Sequence, residues 1–382
     1  MTPKERITTA FANGKPDRVP VSPELWDVIP IRISRRPFWE AGGTCFSKVP
    51  LWQIQLEAYQ YFDCEAWIPV EPGISERQKS MLDINSVFKN SELIVTEVIY
   101  KNSKGSLYEI KHSVFDYDLW PVERPVKNLL KDWPVIEEYF FDDPSKLDYS
   151  VIEHAFNITG EYGICEGIVG NTFFEFLTTF REGGAVQVIL DLNDHPGFFL
   201  PLQKRYIEHL TAVTEEIIRN TSVDAIFVNC GTASLDTISP AVFKKWDIPL
   251  LESIGKVAAK HGKIFHYHLH GKGRALLDDI VNSGVNIICP LEQHPMGDFD
   301  LREVKDRFGD RLSLKGNINP FFPLRDGSPE DVEKAVIECI NSVAEGGGFT
   351  LASADGVLRD TPFENIFAMV DAGKRHGRYV RL

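Results

Sequence analysis

The sequence predicts one α/β domain over residues 1–382, a (β/α)8 TIM barrel with an N-terminal extension and an antiparallel β insertion at about 93–120. Three observations support this fold class. A length of 382 residues suits one barrel with insertions. Eight short apolar runs alternate with amphipathic segments, as parallel strands covered by helices do. No G-x-G-x-x-G or G-x-x-x-x-G-K-[ST] loop follows a strand, which disfavours a Rossmann or P-loop domain.

The N-terminal extension begins with a predicted helix. Thr2 is a suitable N-cap, and Pro3 suits the first helical position because its missing N–H costs nothing there. Gly14 ends the helix. Residues 17–21 then have the composition of a short first strand.

The next segments contain the insertion. Residues 51–62 are predicted to form a helix and residues 64–70 a second strand. Between residues 93 and 120, two β-rich runs flank the polar turn at 102–105. This arrangement is typical of an antiparallel hairpin or a small meander, and it interrupts an otherwise alternating chain.

From about residue 160 onward, strands and helices alternate regularly. The predicted strands lie at 164–170, 223–230, 263–270, 285–290, 311–318 and 348–355. The predicted helices lie at 172–182, 198–220, 253–262, 273–284, 301–309, 328–347 and 362–377. With the two earlier strands this makes eight strands, the number that a closed barrel of this class needs.

The charge and the cysteine content of the chain disfavour several classes of function. The net charge of −14 disfavours general binding to nucleic acid and to anionic membranes, because such binding relies on basic residues. The N-terminus has no apolar signal segment, and no apolar run reaches membrane-spanning length. The six cysteines are scattered, so we expect reduced thiols in a cytoplasmic protein.

Polar side chains at the predicted strand ends are the functional candidates, since the active sites of these barrels lie at the C-terminal ends of the strands. Glu24 and Glu71 would act as proton donors, as substrate anchors, or only as solvated rim residues. Asn317 would bind a ligand or shape a turn. The full set is Glu24, Glu71, Asn171, Asn229, Cys230, His268, His270, Glu292, His294, Asn317, Asn319 and Asp355.

Histidines are concentrated on one predicted strand. His266, His268 and His270 share one face of it, because side chains alternate along a strand. The H-x-H pair nearest the strand end, His268 and His270, predicts a metal site with Asp355 as the preferred third ligand. Glu292 and His294 compete for that third place. A hydrogen-bonded polar network without metal is the alternative.

Several segments, in order along the chain, resemble the uroporphyrinogen decarboxylase superfamily. They are TPKERITTAFANGKPDRVPV near the start, GNTFFEFLTTFREGG (170–184), ISPAVFKKWDIP (238–249), FHYHLHG (265–271), VKDRFGDRLSLKGNINP (304–320) and GGFTLASADGVLRDTPFENIFAMVDAGKRHGRY (347–379). The resemblance implies a (β/α)8 barrel, in agreement with the strand count. It also implies one of two chemistries.

The first chemistry is decarboxylation of a tetrapyrrole, and the chain departs from its motifs. The Arg-rich M-R-Q-A-G-R-Y segment is missing, so a polycarboxylate substrate would lack its cations. The counterparts in this chain are Arg32, Arg35 and Arg36 for that segment, Glu71 for an Asp, Thr179 for a Tyr, Cys230 for a Ser, and Ala354-Asp355-Gly356 for a G-H-G.

The second chemistry is that of cobalamin-dependent methyltransferases, which hold zinc on H-x-C and a late Cys. The resemblance places His268, His270 and Asp355 at these positions, a set that would hold zinc, iron(II) or manganese. It further implies a corrinoid on a partner protein docked over the barrel mouth. Glu71 or Glu292 would donate a proton to the leaving group. Substrate would be oriented by Asn171, Asn229, Asn317 and Glu24.

Three functions therefore follow from the sequence. The favoured one is a metal-dependent methyltransferase that acts on a small methylated substrate, such as a methyl ether, and a corrinoid. The second is a decarboxylase of the uroporphyrinogen type. The third is a non-catalytic barrel that binds a corrinoid or a tetrapyrrole.

Overall fold

The computed structural model describes residues 1–379, and within them the predicted barrel is confirmed. A parallel sheet has the order β1-β6-β7-β8-β9-β10-β11, and a separate antiparallel sheet has the order β2-β3-β4-β5. The strands are β1 (Ala66–Val70), β2 (Leu82–Phe88), β3 (Leu93–Asn102), β4 (Gly105–Val114), β5 (Tyr117–Glu123), β6 (Gly163–Asn171), β7 (Ala225–Cys230), β8 (Ile264–Leu269), β9 (Ile287–Pro290), β10 (Ser313–Ile318) and β11 (Phe349–Ser353).

The segment around Val21 closes the parallel sheet into a barrel. Val21 forms a parallel bridge to Leu351 in β11. On its other side, the N–H of Glu65, just before β1, donates to the Val21 carbonyl over 3.1 Å. The first strand predicted at 17–21 is therefore present only as two isolated bridges, an antiparallel one from Arg18 to Arg378 and the parallel one from Val21 to Leu351. Pro20 has no N–H to donate, which limits the pairing.

Helices cover the outside of the barrel. They are α1 (Pro3–Phe11), α2 (Val28–Ser34), α3 (Leu51–Tyr61), α4 (Glu76–Ser80), α5 (Leu129–Phe140), α6 (Ser150–Thr159), α7 (Phe173–Phe180), α8 (Gly184–Asp194), α9 (Pro196–Asn220), α10 (Pro240–Trp246), α11 (Ile248–His261), α12 (Leu277–Asn282), α13 (Leu301–Phe308), α14 (Pro329–Val343) and α15 (Phe363–His376). Thr2 caps α1 as predicted, in a capping box with Glu5. The helix predicted at 253–262 begins earlier, at Ile248.

The β insertion is larger than the sequence predicted. The expected hairpin at about 93–120 is the middle of a four-stranded meander that runs from Leu82 to Glu123. Strand β2 escaped prediction because only Ser86 in it is buried. A strand that lies open on both faces lacks the alternation of apolar and polar residues that identifies a half-buried strand.

One hydrophobic cluster connects the parts of the molecule. It extends from Ile7 in α1 through the barrel to Val98 and Tyr100 in the meander. None of the helices within residues 1–379 has the length and apolarity needed to cross a membrane. The cysteines are free thiols, as predicted, and only Cys45 among the six is exposed.

Candidate metal centre and active site

Three side chains, which we call the mouth cluster, meet at the C-terminal end of the barrel strands. His270 follows β8, Glu292 follows β9 and Asp355 follows β11. Nε2 of His270 lies 2.6 Å from Oδ2 of Asp355, and its Nδ1 lies 3.0 Å from Oε2 of Glu292. Because barrels of this class place their reacting groups at this end, the mouth cluster is the candidate active site.

The electrostatics of the mouth cluster favour positive charge. Hydrogen bonds to Asp355 and Glu292 raise the pKa of His270 to about 10. Burial opposes ionisation of Asp355, but the hydrogen bond and the charge of His270 hold the pKa of its carboxyl below the ordinary value. An imidazolium therefore lies between two carboxylates. A divalent cation that replaced the imidazole proton would be held by both.

Two further features suggest that the mouth cluster binds a ligand. Oε1 of Glu292 is buried and has no hydrogen-bond partner among the described residues. Asp355 has a φ of +85°, a conformation that is costly for a residue with a Cβ and that is concentrated at functional sites. One imidazole and two carboxylates are donors that suit Zn²⁺, Fe²⁺ or Mn²⁺. The residues therefore fit a divalent metal.

His268 does not belong to the mouth cluster. Its Nδ1 lies 3.2 Å from Sγ of Cys289 and 3.9 Å from Oε2 of Glu24, and the three residues form a second, buried group. The centres of the His268 and His270 rings are 6.5 Å apart. The structure thus brings together His270 and Asp355, but with Glu292 rather than His268 as their neighbour. His268 lies within β8 and points into the barrel, whereas His270 lies beyond its end.

Glu24 is held inside the barrel by two partners. Its Oε1 accepts a hydrogen bond from the Lys315 ammonium over 2.5 Å, and its Oε2 accepts one from the Trp26 indole over 3.0 Å. Glu24 and Lys315 are both fully buried. The ammonium also lies 3.8 Å from the centre of the Trp67 ring. The substrate contact expected of Glu24 stays a prediction, and the contacts observed are with the protein.

Three of the predicted polar residues lie near one another beside the mouth. Glu71 and Asn171 line a cavity of about 210 Å³ with aromatic walls, and Asn229 donates to Oδ1 of Asn171 over 3.2 Å. The side chain of Glu71 is exposed at the cavity, and desolvation by the protein atoms around it raises the pKa of its carboxyl. These positions allow the proposed roles in proton donation and substrate binding.

Asn317 lies at a different and larger cavity. Its Nδ2 donates to the carbonyl of Leu291 over 2.6 Å, and its Oδ1 accepts from Gln293 over 3.0 Å. Together with His294 and Asn319, it lines a cavity of about 810 Å³. His294, a competitor for the third ligand position, is therefore absent from both donor groups, whereas the other competitor, Glu292, is in the mouth cluster.

The C-terminal half of the chain matches a known protein family. The model of the family described as uroporphyrinogen decarboxylase (URO-D) matches residues 180–376, which is more than half of the chain. The chain belongs to the uroporphyrinogen decarboxylase family.

Relatives of this family member carry two different activities in their names. A uroporphyrinogen decarboxylase of Coxiella burnetii is 28% identical over 251 residues, 63% of this chain and 64% of the relative. The chain thus spans about 64% of the length of that curated relative. A methylcobamide:CoM methyltransferase of Methanosarcina barkeri is 34% identical over 149 residues, 39% of this chain and 41% of the relative.

A solved structure shares the fold of this URO-D family member over nearly its whole length. The structure, described as a methyltransferase from Methanosarcina mazei, has a TM-score of 0.62 and 17% sequence identity. The alignment covers 98% of this chain and 99% of the solved chain. The likeness shows that the two chains share a fold.

Three polar residues of the interior were not among the site residues predicted from the sequence. They are Glu166, Cys289 and Lys315, each of which is fully buried. The sequence did contain a signal for two of them, since a single charged residue interrupts the apolar strands β6 and β10. Cys289 gave no signal, because a buried cysteine usually acts as a small hydrophobic residue.

Proposed function

We propose that the chain is a metal-dependent methyltransferase that moves a methyl group between a small methylated substrate, such as a methyl ether, and a corrinoid carried by a partner protein. The mouth cluster carries the proposal, because it places His270, Glu292 and Asp355 within metal-binding reach at the active-site end of a barrel. Similarity to a methylcobamide:CoM methyltransferase of Methanosarcina barkeri supports it.

In this proposal the metal ligands are His270, Glu292 and Asp355. We propose in addition that His268, which belongs to the neighbouring buried group, offers the metal a fourth donor through Nε2, the ring nitrogen that does not face Cys289; its ring centre lies 6.5 Å from that of His270. When bound, a divalent metal supplies Lewis acidity that lowers the pKa of a thiol or polarises the oxygen of a methyl ether. Metal binding would displace a proton from His270, so affinity should fall as the pH is lowered.

The other residues at the mouth handle the substrate. Because Glu292 is assigned to the metal, Glu71 is the proposed proton donor to the leaving group. Its raised pKa helps it to remain protonated at a higher pH than an ordinary glutamate. The amide groups of Asn171 and Asn229, already hydrogen-bonded to each other, would orient the substrate. The corrinoid would approach on its carrier protein from outside the mouth.

A transfer assay tests the proposal. Tag-free protein dialysed against Zn²⁺ is mixed with free cob(I)alamin and a panel of aryl methyl ethers, methyl thiols and methylamines. Loss of the cob(I)alamin absorbance reports methyl transfer. We expect turnover with at least one donor, and a loss of more than roughly 100-fold in Asp355→Asn. Asp310→Asn, the same substitution at an exposed site, is the matched control. If the cob(I)alamin absorbance is not lost with any of these methyl donors, the result contradicts the proposal.

Decarboxylation is the second candidate, and the 28% identity to a Coxiella burnetii uroporphyrinogen decarboxylase favours it. Against it, the guanidinium of Arg32 donates to the backbone carbonyls of Arg359 and Thr361, so it is occupied by the protein. Incubation with uroporphyrinogen III, followed by mass analysis, distinguishes the candidates. Successive losses of CO2 would favour the decarboxylase. Tight binding without CO2 loss or methyl transfer would favour the non-catalytic barrel.

A further inference from the structure

A line of hydrogen-bonding groups crosses the barrel interior and ends at His268. Both carboxylate oxygens of Glu166 lie 3.0 Å from Nδ1 of His266. Nε2 of His266 lies 3.1 Å from Sγ of Cys289, and the same sulfur lies 3.2 Å from Nδ1 of His268. All four residues are buried, so water does not compete for these contacts.

The position of each proton follows from what the groups are able to donate. A carboxylate only accepts, and Oε2 of Glu166 already accepts from the Trp67 indole over 2.7 Å. Nδ1 of His266 therefore carries a proton, and in the tautomer with its single proton there the lone pair lies on Nε2. That lone pair accepts from the Cys289 thiol. The sulfur is then free to accept from His268, so Nδ1 of His268 must carry a proton.

We propose that Glu166, His266 and Cys289 are positioning residues that hold His268 in the tautomer with its proton on Nδ1 and its lone pair on Nε2. The inference rests on the proposed function in one respect, that Nε2 is the atom offered to the metal. A metal-bound histidine commonly donates its other N–H to a fixed acceptor, which sets both tautomer and ring orientation. Here the acceptor is a thiol, itself oriented by an imidazole and a carboxylate.

The surroundings of the thiol support a neutral, hydrogen-bonded sulfur. Burial raises the pKa of Cys289 well above its ordinary value, and the nearby Glu24 carboxylate raises it further. Glu24 is paired with Lys315, so the carboxylate near His268 is compensated and does not require a protonated ring. Burial likewise lowers the pKa of His268. A thiol that donates to Nε2 of His266 and accepts from Nδ1 of His268 satisfies all these contacts.

The tautomer is measured directly in the full-length, metal-free protein. Selective ¹⁵N labelling of histidine and long-range ¹H–¹⁵N spectra distinguish protonated from unprotonated ring nitrogens. We expect His268 to carry its proton on Nδ1 and to be unprotonated on Nε2. A proton on Nε2 of His268 in the wild-type protein, with Nδ1 unprotonated, would overturn the inference. Nδ1 would then accept a hydrogen bond from Cys289 instead of donating one to it.

Two variants at Cys289 test its part. Cys289→Ser keeps a side chain that both accepts and donates a hydrogen bond, so the His268 tautomer should persist. Cys289→Ala removes the acceptor for Nδ1 of His268, so the population of the Nδ1-protonated form should fall. Affinity for Zn²⁺, measured by competition with a chelator, should fall by roughly 10–100-fold in Cys289→Ala and recover in Cys289→Ser. An unchanged tautomer in a folded Cys289→Ala would overturn the inference. The expected tautomer in a wild-type protein that binds no Zn²⁺ would refute the proposed function and support the inference.

Discussion

Asp247 is a buried carboxylic acid between α10 and α11 that the proposed chemistry does not use. Its Oδ1 accepts from the N–H of Phe174 over 2.9 Å, while its Oδ2 has no partner among the described residues. Burial raises its pKa from 3.8 to about 7. The folded chain therefore retains a proton that the unfolded chain loses at lower pH. The contribution of Asp247 to the free energy of unfolding must therefore fall as the pH rises between these two values.

This pKa shift predicts the behaviour of Asp247→Asn. The amide keeps the Oδ1 acceptor and cannot ionise, so the variant should lack this pH dependence. Between about pH 5 and about pH 8, the wild-type free energy of unfolding should fall by roughly 2–3 kcal/mol relative to the variant. Urea titrations at both pH values measure it, with Asp310→Asn as the exposed control. Parallel profiles for wild type and Asp247→Asn would contradict the assignment.

The buried pair of Glu24 and Lys315 leads to a second prediction at the scale of single residues. Lys315→Met would leave the Glu24 carboxylate without its cation, at a cost of about 3–5 kcal/mol of unfolding free energy. Adding Glu24→Gln removes the stranded charge, so the double variant should be less destabilised than the sum of the single variants. A double-mutant cycle by urea unfolding measures this. Additivity within about 0.5 kcal/mol would show that the pair does not interact.

The sequence predicted which histidines belong to the site, but it did not predict where each of their side chains points. The alternation of β8 placed His266 and His268 correctly in the interior, where both are buried. His270 was assigned to the same face, but it lies beyond the strand end, where the period of two no longer applies. That departure from strand geometry separates His268 from the mouth cluster.

Helix α14 shows how local sequence determines an element. Ser328 accepts from the N–H of Asp331, and its own N–H donates to the Asp331 carboxylate, as in a capping box. Ser328→Ala should lower the free energy of unfolding by about 1 kcal/mol. Ser342→Ala is the matched control, because that hydroxyl donates to a carbonyl within the same helix. Equal effects of the two substitutions in urea unfolding would contradict a special role for the cap.

Elements with strong local signals were predicted well, and those defined by long-range contacts were not. Gly262 ends α11 in a left-handed conformation with φ +62°, as expected of a helix stop signal. The closing strand around Val21 is set by contacts with Leu351 and Glu65, far away in the chain. Its length could not be deduced from the local composition.

At the scale of the whole molecule, the continuous core leads us to propose that residues 1–382 unfold as one domain. Val98 and Tyr100 of the meander share a hydrophobic cluster with the barrel, so the meander should not melt alone. Scanning calorimetry and tryptophan fluorescence should report one coincident transition. A separate early transition would indicate that the meander is an independent unit.

The central claim is that the mouth cluster binds a divalent metal. Its most direct test is metal analysis of tag-free protein after equilibrium dialysis against Zn²⁺, Fe²⁺ or Mn²⁺. We predict about one ion per chain in the wild type and a loss of affinity of at least about 10-fold in His270→Ala and Asp355→Asn. The exposed controls His376→Ala and Asp310→Asn should bind as the wild type does. Wild-type protein with no more metal than the His270→Ala and Asp355→Asn variants would contradict the claim.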